Sequence, residues 1–447
     1  MTRGARARSL REGLSALSVP AYRRYVVATS ANNVTVWLFQ TAVSWLILEK
    51  TGSGAAVGML YVAWTVPTLV TMIPAGIFVD RIGPRRGMLI SQALTAVLFV
   101  AATGFAAAGA LTFEWILVLA VLLGTVDGFW SAPSLVMAGR VVAPHQLGSA
   151  MGLSSLTFGI GRTIGGFVGG IVVAAGGPLP ALAIGAAGPV IAFVLTLTLP
   201  SVPGLETSRA GSLRDFRDAL AWLARTSHAR TLVLLGMAVA TFPYSYPAFM
   251  PIFTRDLLHA GPAELGLLTG ATGIGVIVGA FVMDALGRAI GRGRALVLAV
   301  VVASTSVVLL AITPSLPVSM ALVALMAGVL IIFRTTTIAL LQALAPGRMR
   351  GRVMSIFEIT FWGINPVGGV LGGILADRVG TMEMLLAFGG MTMLAVVVAL
   401  LADRALISMN LDAEARATIR GVIVFPEGRP LPAAVAPPIA APPPGLG

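Results

Sequence analysis

Apolar runs of about 20 residues recur along this chain, separated by short stretches that are polar or rich in glycine and proline. A helix rising about 1.5 Å per residue needs that length to cross a hydrocarbon core roughly 30 Å thick. Twelve membrane-spanning helices are predicted, at 25–48, 55–79, 88–108, 115–138, 150–173, 179–200, 231–253, 263–285, 295–313, 318–344, 353–376 and 382–402. The first follows a basic stretch, as a secretory signal would. It is about twice the usual apolar length and lacks a small-residue cleavage site, so it is read as a retained helix. The fold class predicted is an all-α membrane protein.

The longest interior hydrophilic stretch, SVPGLETSRAGSLRDFRDALAWLARTSHAR, separates the sixth and seventh segments. It divides the chain into two six-helix bundles, 25–200 and 231–402, joined by a linker at 201–230 and flanked by a basic terminus at 1–24 and a tail at 403–447. Within the linker Ser212 and Asp215 form a capping-box-like start. Leu213, Phe216, Leu220 and Leu223 then share one helical face, with Arg214, Arg217 and Arg225 elsewhere, which fits a helix on the membrane surface or a solvated linker helix. The tail ends in RPLPAAVAPPIAAPPPGLG, whose proline density opposes regular structure and a packed core.

An internal repeat links the two bundles. Shifted by 203 residues, Gly148, Met151, Thr157, Phe158, Gly165, Gly166, Gly169 and Gly170 meet Gly351, Met354, Thr360, Phe361, Gly368, Gly369, Gly372 and Gly373. The same shift pairs Gly76, Phe78 and Val79 with Gly279, Phe281 and Val282. An even number of spans separates the halves, so the repeats are parallel and the bundles pseudo-symmetric. Such repeats place a substrate site near mid-membrane between halves that rock about it. Gly165, Gly166, Gly169, Gly368, Gly369 and Gly372 are predicted to let helices pack closely.

Composition agrees with this reading: 57% of residues are hydrophobic and 11% charged, whereas soluble domains carry about 25% charge. The formal net charge of +12 raises the question of nucleic acid, which distribution answers. With both termini in the cytoplasm, only Lys50, Arg255 and Arg378 of the 30 basic residues fall outside, and Arg162 and Arg334 lie within spans. The positive-inside rule and anionic lipid therefore account for the charge, and nucleic acid is not expected as a partner. The predicted place is the cell membrane, with multiple passes and both ends cytoplasmic. The chain has no cysteine, so disulfides and thiolate chemistry are excluded. His145, His228 and His259 lack metal spacing and no Walker-type glycine loop exists, so no enzyme, metal, cofactor or ATP-driven function is expected.

After the second segment the chain reads AGIFVDRIGPRRGML. Here Gly76, Asp80, Arg81, Gly83, Arg85 and Arg86 resemble the G-x-x-x-D-R-x-G-R-R signature of the major facilitator superfamily, which lies between that family's second and third helices. In physical terms Gly76 allows a close helix neighbour, Asp80 suits a helix N-terminus or an arginine, and Gly83 permits a tight turn. The resemblance implies a cytoplasmic latch in which Asp80 and Arg81 stabilise the outward-facing state; the competing role for the arginines is topology alone. Pro84 stands where a basic residue is usual. A second match, GGILADRVG at 372–380, falls at the outer end of the eleventh segment and is read as a coincidental turn or a sign of a miscounted helix.

WLILEKTGSGAAVGML and LLQALAPGRMRGRVMSIFEITFWGINPVGG are similar to stretches of the drug:proton antiporter branch that includes macrolide efflux and enterobactin export proteins. That resemblance implies a twelve-helix exporter of amphiphilic small molecules. Gly165 and Gly166 follow Arg162 where relatives carry a glycine-proline motif, with Gly166 in the place of the proline.

Four residues charged at neutral pH fall inside spans clear of their ends: Asp127, Arg162, Arg334 and Glu358. A charge at the bilayer centre costs about 2.5 to 3.5 kcal/mol on the insertion scale, so each needs a partner or an aqueous cavity. Similar depth predicts two pairs, Asp127 with Arg162 and Arg334 with Glu358. An acid beside a cation and an apolar cavity suits proton coupling, with Asp127 as first candidate and Glu358 as second; the alternative is a fixed structural pair. Asn32, Asn33, Gln40, Tyr244, Tyr246, Phe249, Trp362 and Asn365 are candidate cavity residues. For the polar residues of the first segment the competing role is helix packing, and for the aromatics an interfacial belt. Pro243, Pro247 and Pro251 are expected to break the seventh segment repeatedly. The function expected is proton-coupled export by a monomer. Alternatives are a facilitator or importer of a small metabolite, or a non-transporting sensor or assembly protein.

Overall fold

The computed structural model describes residues 15–201, 213–313 and 315–409. Most of the basic terminus, Ser212 of the expected cap and the tail beyond 409 lie outside the described residues. The first half comprises α1 (Pro20–Thr51), α2 (Gly54–Ile82), α3 (Pro84–Ala107), α4 (Phe113–Arg140), α5 (Leu147–Gly176) and α6 (Pro178–Leu197). A linker helix, α7 (Leu213–Arg225), follows. The second half comprises α8 (Ser227–Thr241), α9 (Tyr246–Asp256), α10 (Pro262–Ile290), α11 (Arg292–Ile312), α12 (Leu316–Leu344), α13 (Arg350–Val379) and α14 (Thr381–Ala402).

Among the described residues eleven segments are long and apolar enough to cross a membrane, with α8 and α9 together forming one. The polar-interrupted α1, 32 residues long, runs beside them and completes two sets of six. Within the first half α1 packs on α5 and α6, α2 on α4, and α3 on α6. The second half repeats this plan: α10 packs on α12, α11 on α14, and α13 on α8.

The seam between halves consists mainly of α5 against α10 and α13 against α2, two pairs that the repeat exchanges. The bounds of α13 are those of α5 moved by 203 residues. The same offset fails for α2 and α10. There the tight turns at Gly83 (φ 84°) and Gly291 (φ 86°) correspond, an offset of 208, so the match of Gly76, Phe78 and Val79 to 279–282 is a chance alignment of small and apolar residues.

The seventh segment breaks once rather than repeatedly. Proline has no N–H and ends α8 before Pro243. Pro247 falls in the first turn of α9, where its missing N–H costs nothing, and α9 continues through Pro251. The carbonyls left free at the break find other donors. Asn365 Nδ2 donates to Ala240 O at 2.9 Å, and Ser245 Oγ donates to Thr241 O at 2.9 Å.

The linker helix forms, with Ala219 and Leu223 buried and Phe216 and Leu220 exposed. Its apolar stripe is thus shared between the bundle, through α8 and α13, and its surroundings.

Candidate functional site

The seam is tight at the end opposite the termini. A side chain added at Gly58 would meet the backbone of Gly369, at Gly373 that of Gly54, and at Gly170 that of Gly266. Gly76, Gly148, Gly152 and Gly351, nearer the termini, have open space at the same test. The two halves therefore close on each other at the far end. Of the predicted packing glycines, Gly165 and Gly169 lie against α1, Gly166 against Thr269 of α10, Gly368 against Thr241, Gly369 against Ala248 and Tyr61, and Gly372 against Phe388.

The second signature match, at 372–380, makes polar contacts across the seam at this end. Asp377 accepts from Ser53 Oγ at 2.6 Å, Gly54 N at 2.6 Å and Ala55 N at 3.0 Å, which places its carboxylate on the first turn of α2. Free N–H groups and the positive end of the helix dipole favour an anion there. Arg255 Nη1 adds a bond to Gly52 O at 3.0 Å, and Asp256 accepts from Thr381 Oγ1 at 2.6 Å. The stretch is neither a coincidental turn nor a sign of a miscounted helix. Its partner lies 323 residues away, so no local pattern could have revealed it.

At the termini end the latch residues do other work. Arg85 Nε donates to Thr196 O at 3.3 Å and its Nη2 to Leu197 O, capping the last turn of α6 within the same half. Arg81 and Arg86 are exposed, and Gly76 has no close helix neighbour, contrary to expectation. The closed seam lies at the opposite end, which leaves Gly76 free. The side chain of Asp80 lies outside the described residues.

The four intramembrane charges separate into one pair and two solitary groups. Arg334 Nη2 donates to both oxygens of Glu358, at 2.8 and 2.9 Å, and Trp362 Nε1 donates to Glu358 Oε2 at 3.0 Å. Tyr244 packs edge-on against Trp362 and Phe361, which completes an aromatic and charged cluster inside the second half.

Asp127 and Arg162 do not form the expected pair among the described residues. Asp127 shares a cavity inside the first half with Asn32, Trp64, Thr95 and Trp130, and Trp64 is its hydrogen-bonding neighbour. Arg162 opens instead onto a narrow cleft between the halves, with Gln40, Tyr246, Thr269 and Thr272. Its guanidinium lies 4.4 Å from the ring of Trp37 and 4.8 Å from that of Tyr246. The aromatic rings draw the cation toward the seam and away from α4. Trp37 and Thr272 were not singled out from sequence; the signal for Trp37 is its place on the polar face of α1, three residues before Gln40.

The other candidates scatter. Asn33 packs under Gly161 of α5, Asn365 serves the broken helix, and Phe249 is 1% exposed with its ring 6.3 Å from Phe388. Phe249 is therefore a core residue of the second half in this structure, not one that lines the cleft. No cluster of metal-ligating side chains occurs among the described residues.

Three comparisons bear on this arrangement. A family model described as transmembrane secretion effector matches residues 11–424. The chain is 27% identical over 391 residues to the multidrug efflux pump Tap of Mycolicibacterium fortuitum, covering 85% of this chain and 94% of that protein. It is 24% identical over 367 residues to the enterobactin exporter EntS of Citrobacter koseri, covering 81% and 86%. Among solved structures, a bacterial homolog of the human lysosomal transporter Spinster, inward-facing and unoccupied, superposes with a TM-score of 0.68 at 15% identity, covering 87% of this chain and 98% of that one. The nucleoside transporter NupG superposes with a TM-score of 0.70 at 14% identity, covering 86% and 99%. The solved structures bear on the fold alone.

Proposed function

The chain belongs to the transmembrane secretion effector family of the major facilitator superfamily, a family of membrane transporters, and on that premise we propose that it exports amphiphilic small molecules across the cell membrane in exchange for protons. In this reading both termini are cytoplasmic, the far end faces outward, and the present state is open to the cytoplasm. The names of Tap and EntS support export, and the one-sided seam supports alternating access.

The observation that carries proton coupling is Asp127. It is a carboxyl at mid-membrane with no ion-pair partner among the described residues, in a cavity one helix away from the seam. A carboxyl tied to no cation can exist with or without its proton as the halves rock and water access changes. Glu358 is the weaker candidate, since Arg334 and Trp362 already satisfy its charge. Export begins with the cytoplasm-facing state taking up substrate between the halves. The Asp377 contact then releases as the termini end closes, and proton entry through Asp127 resets the cycle.

The test is accumulation of a panel of drugs and siderophores in cells with and without the chain, each with and without a proton uncoupler. The reading expects lower accumulation of at least one amphiphile when the chain is present, abolished by the uncoupler. Equal accumulation across the panel contradicts it.

A further inference from the structure

Arg162 is a cation with no acidic partner among the described residues. It is 6% exposed, its Nε has no hydrogen-bond partner, and no carboxylate lines the cleft it faces. Its position is near mid-membrane, 15 residues into the 30-residue α5. A buried charge in a membrane is retained against a desolvation cost, and with no protein acid beside it the compensation has to come from elsewhere.

The geometry also says what is missing. The guanidinium lies over the rings of Trp37 and Tyr246, 4.4 and 4.8 Å from their centroids. Its Nε has no partner, and the planar fork of its N–H groups matches the two oxygens of a carboxylate or a similar oxyanion. Gln40, Thr269 and Thr272 supply neutral hydrogen-bonding groups around it, and Met250 and Leu265 supply apolar wall. The cleft draws on both halves, α1 and α5 from one and α9 and α10 from the other. A ligand there would touch both moving bodies.

We propose that Arg162 is the anion-recognition residue of the transport site, so that the exported amphiphiles carry an acidic group, a carboxylate or comparable oxyanion, attached to an apolar or aromatic body. This rests on the exporter reading above and narrows its substrate class. The cleft is narrow in the present state and takes the acidic group, while the body extends along the seam. Trp37 and Tyr246 hold the guanidinium in place and offer faces to an aromatic ring beside it.

The test compares 1-naphthylacetate with its uncharged analogue 1-naphthylacetamide, using equilibrium binding to the full chain in lipid nanodiscs. A charge-assisted fork should favour the acid by about tenfold or more in the unmodified chain. Arg162→Gln should bring the acid down to the level of the amide and leave the amide within about twofold, since only the charged contact is lost. Arg162→Lys should retain part of the preference, because it keeps the charge and loses the fork. The amide's unchanged binding to Arg162→Gln guards against misreading a folding defect.

Equal binding of acid and amide by the unmodified chain overturns the proposal. So does binding of neither, or a preference that survives Arg162→Gln. Failure of the exporter reading has a different signature: the acid preference persists in nanodiscs while no compound shows uncoupler-sensitive export from cells.

Discussion

The two halves share one architecture and treat charge in opposite ways. In the second half Arg334 and Glu358 neutralise each other within a single bundle, with Trp362 as a further donor. In the first half Asp127 and Arg162 sit in separate cavities, the acid inside the bundle and the cation on the seam. The repeat does not supply these groups. At an offset of 203, Arg162 answers to Asn365, Asp127 to Leu330, Arg334 to Ser131 and Glu358 to Ser155. The repeated glycines and helix bounds build the shared frame, and the charges are added to each half independently. A solitary charge is the more informative one, because a paired charge is already explained by its partner.

The largest effect should come from breaking the pair. Glu358→Ala leaves Arg334 uncompensated, and removing one partner of a buried pair costs about 3 to 5 kcal/mol, reduced here to about 2 to 3 by partial exposure of both side chains. Unfolding of the detergent-solubilised chain measures it, and adding Arg334→Leu should recover at least half of the loss. Equal costs for single and double variants would mean that the pair is not the compensated unit described.

A smaller effect is expected where the halves meet. Asp377→Asn keeps the shape at the start of α2 and removes the charge from its three donors, weakening far-end closure by about 1 to 2 kcal/mol. The chain has no cysteine, so spin labels on Thr51→Cys and Val379→Cys report this end without background. The longer-distance population should grow, and an unchanged distribution would show that the contact does not hold the end shut.

The smallest effect should come from Arg162→Asn, which copies the counterpart at 365. No ion pair is lost, and the aromatic contacts forgone are offset by the removal of a buried charge, so stability should change by less than about 1 kcal/mol. A loss as large as that of Glu358→Ala would erase the contrast between the halves.

The frame was legible because its signals are long and periodic: apolar runs set the spans, and glycine spacing in α5 recurs in α13. The pairing of Arg334 with Glu358 was also readable, since both sit at similar distances from the same helix ends. What depth could not supply was azimuth. Asp127 and Arg162 lie at similar depth, yet α4 turns its acid into the first bundle while Trp37 and Tyr246 hold the arginine at the seam. Phe249 misled for the same reason, since its ring faces Phe388 inside the second half. The Asp377 contact escaped because its motif resembles one that belongs to the opposite end of the molecule.

The central claim is that the solitary acid, not the paired one, carries the proton. Proteoliposomes holding a pH-sensitive dye and a compound found to be exported from cells measure it, with the unmodified chain, Asp127→Asn and Glu358→Gln side by side. The account predicts that Asp127→Asn loses substrate-dependent proton movement while still inserting and folding, and that Glu358→Gln retains it. Undiminished proton movement in Asp127→Asn would contradict the account.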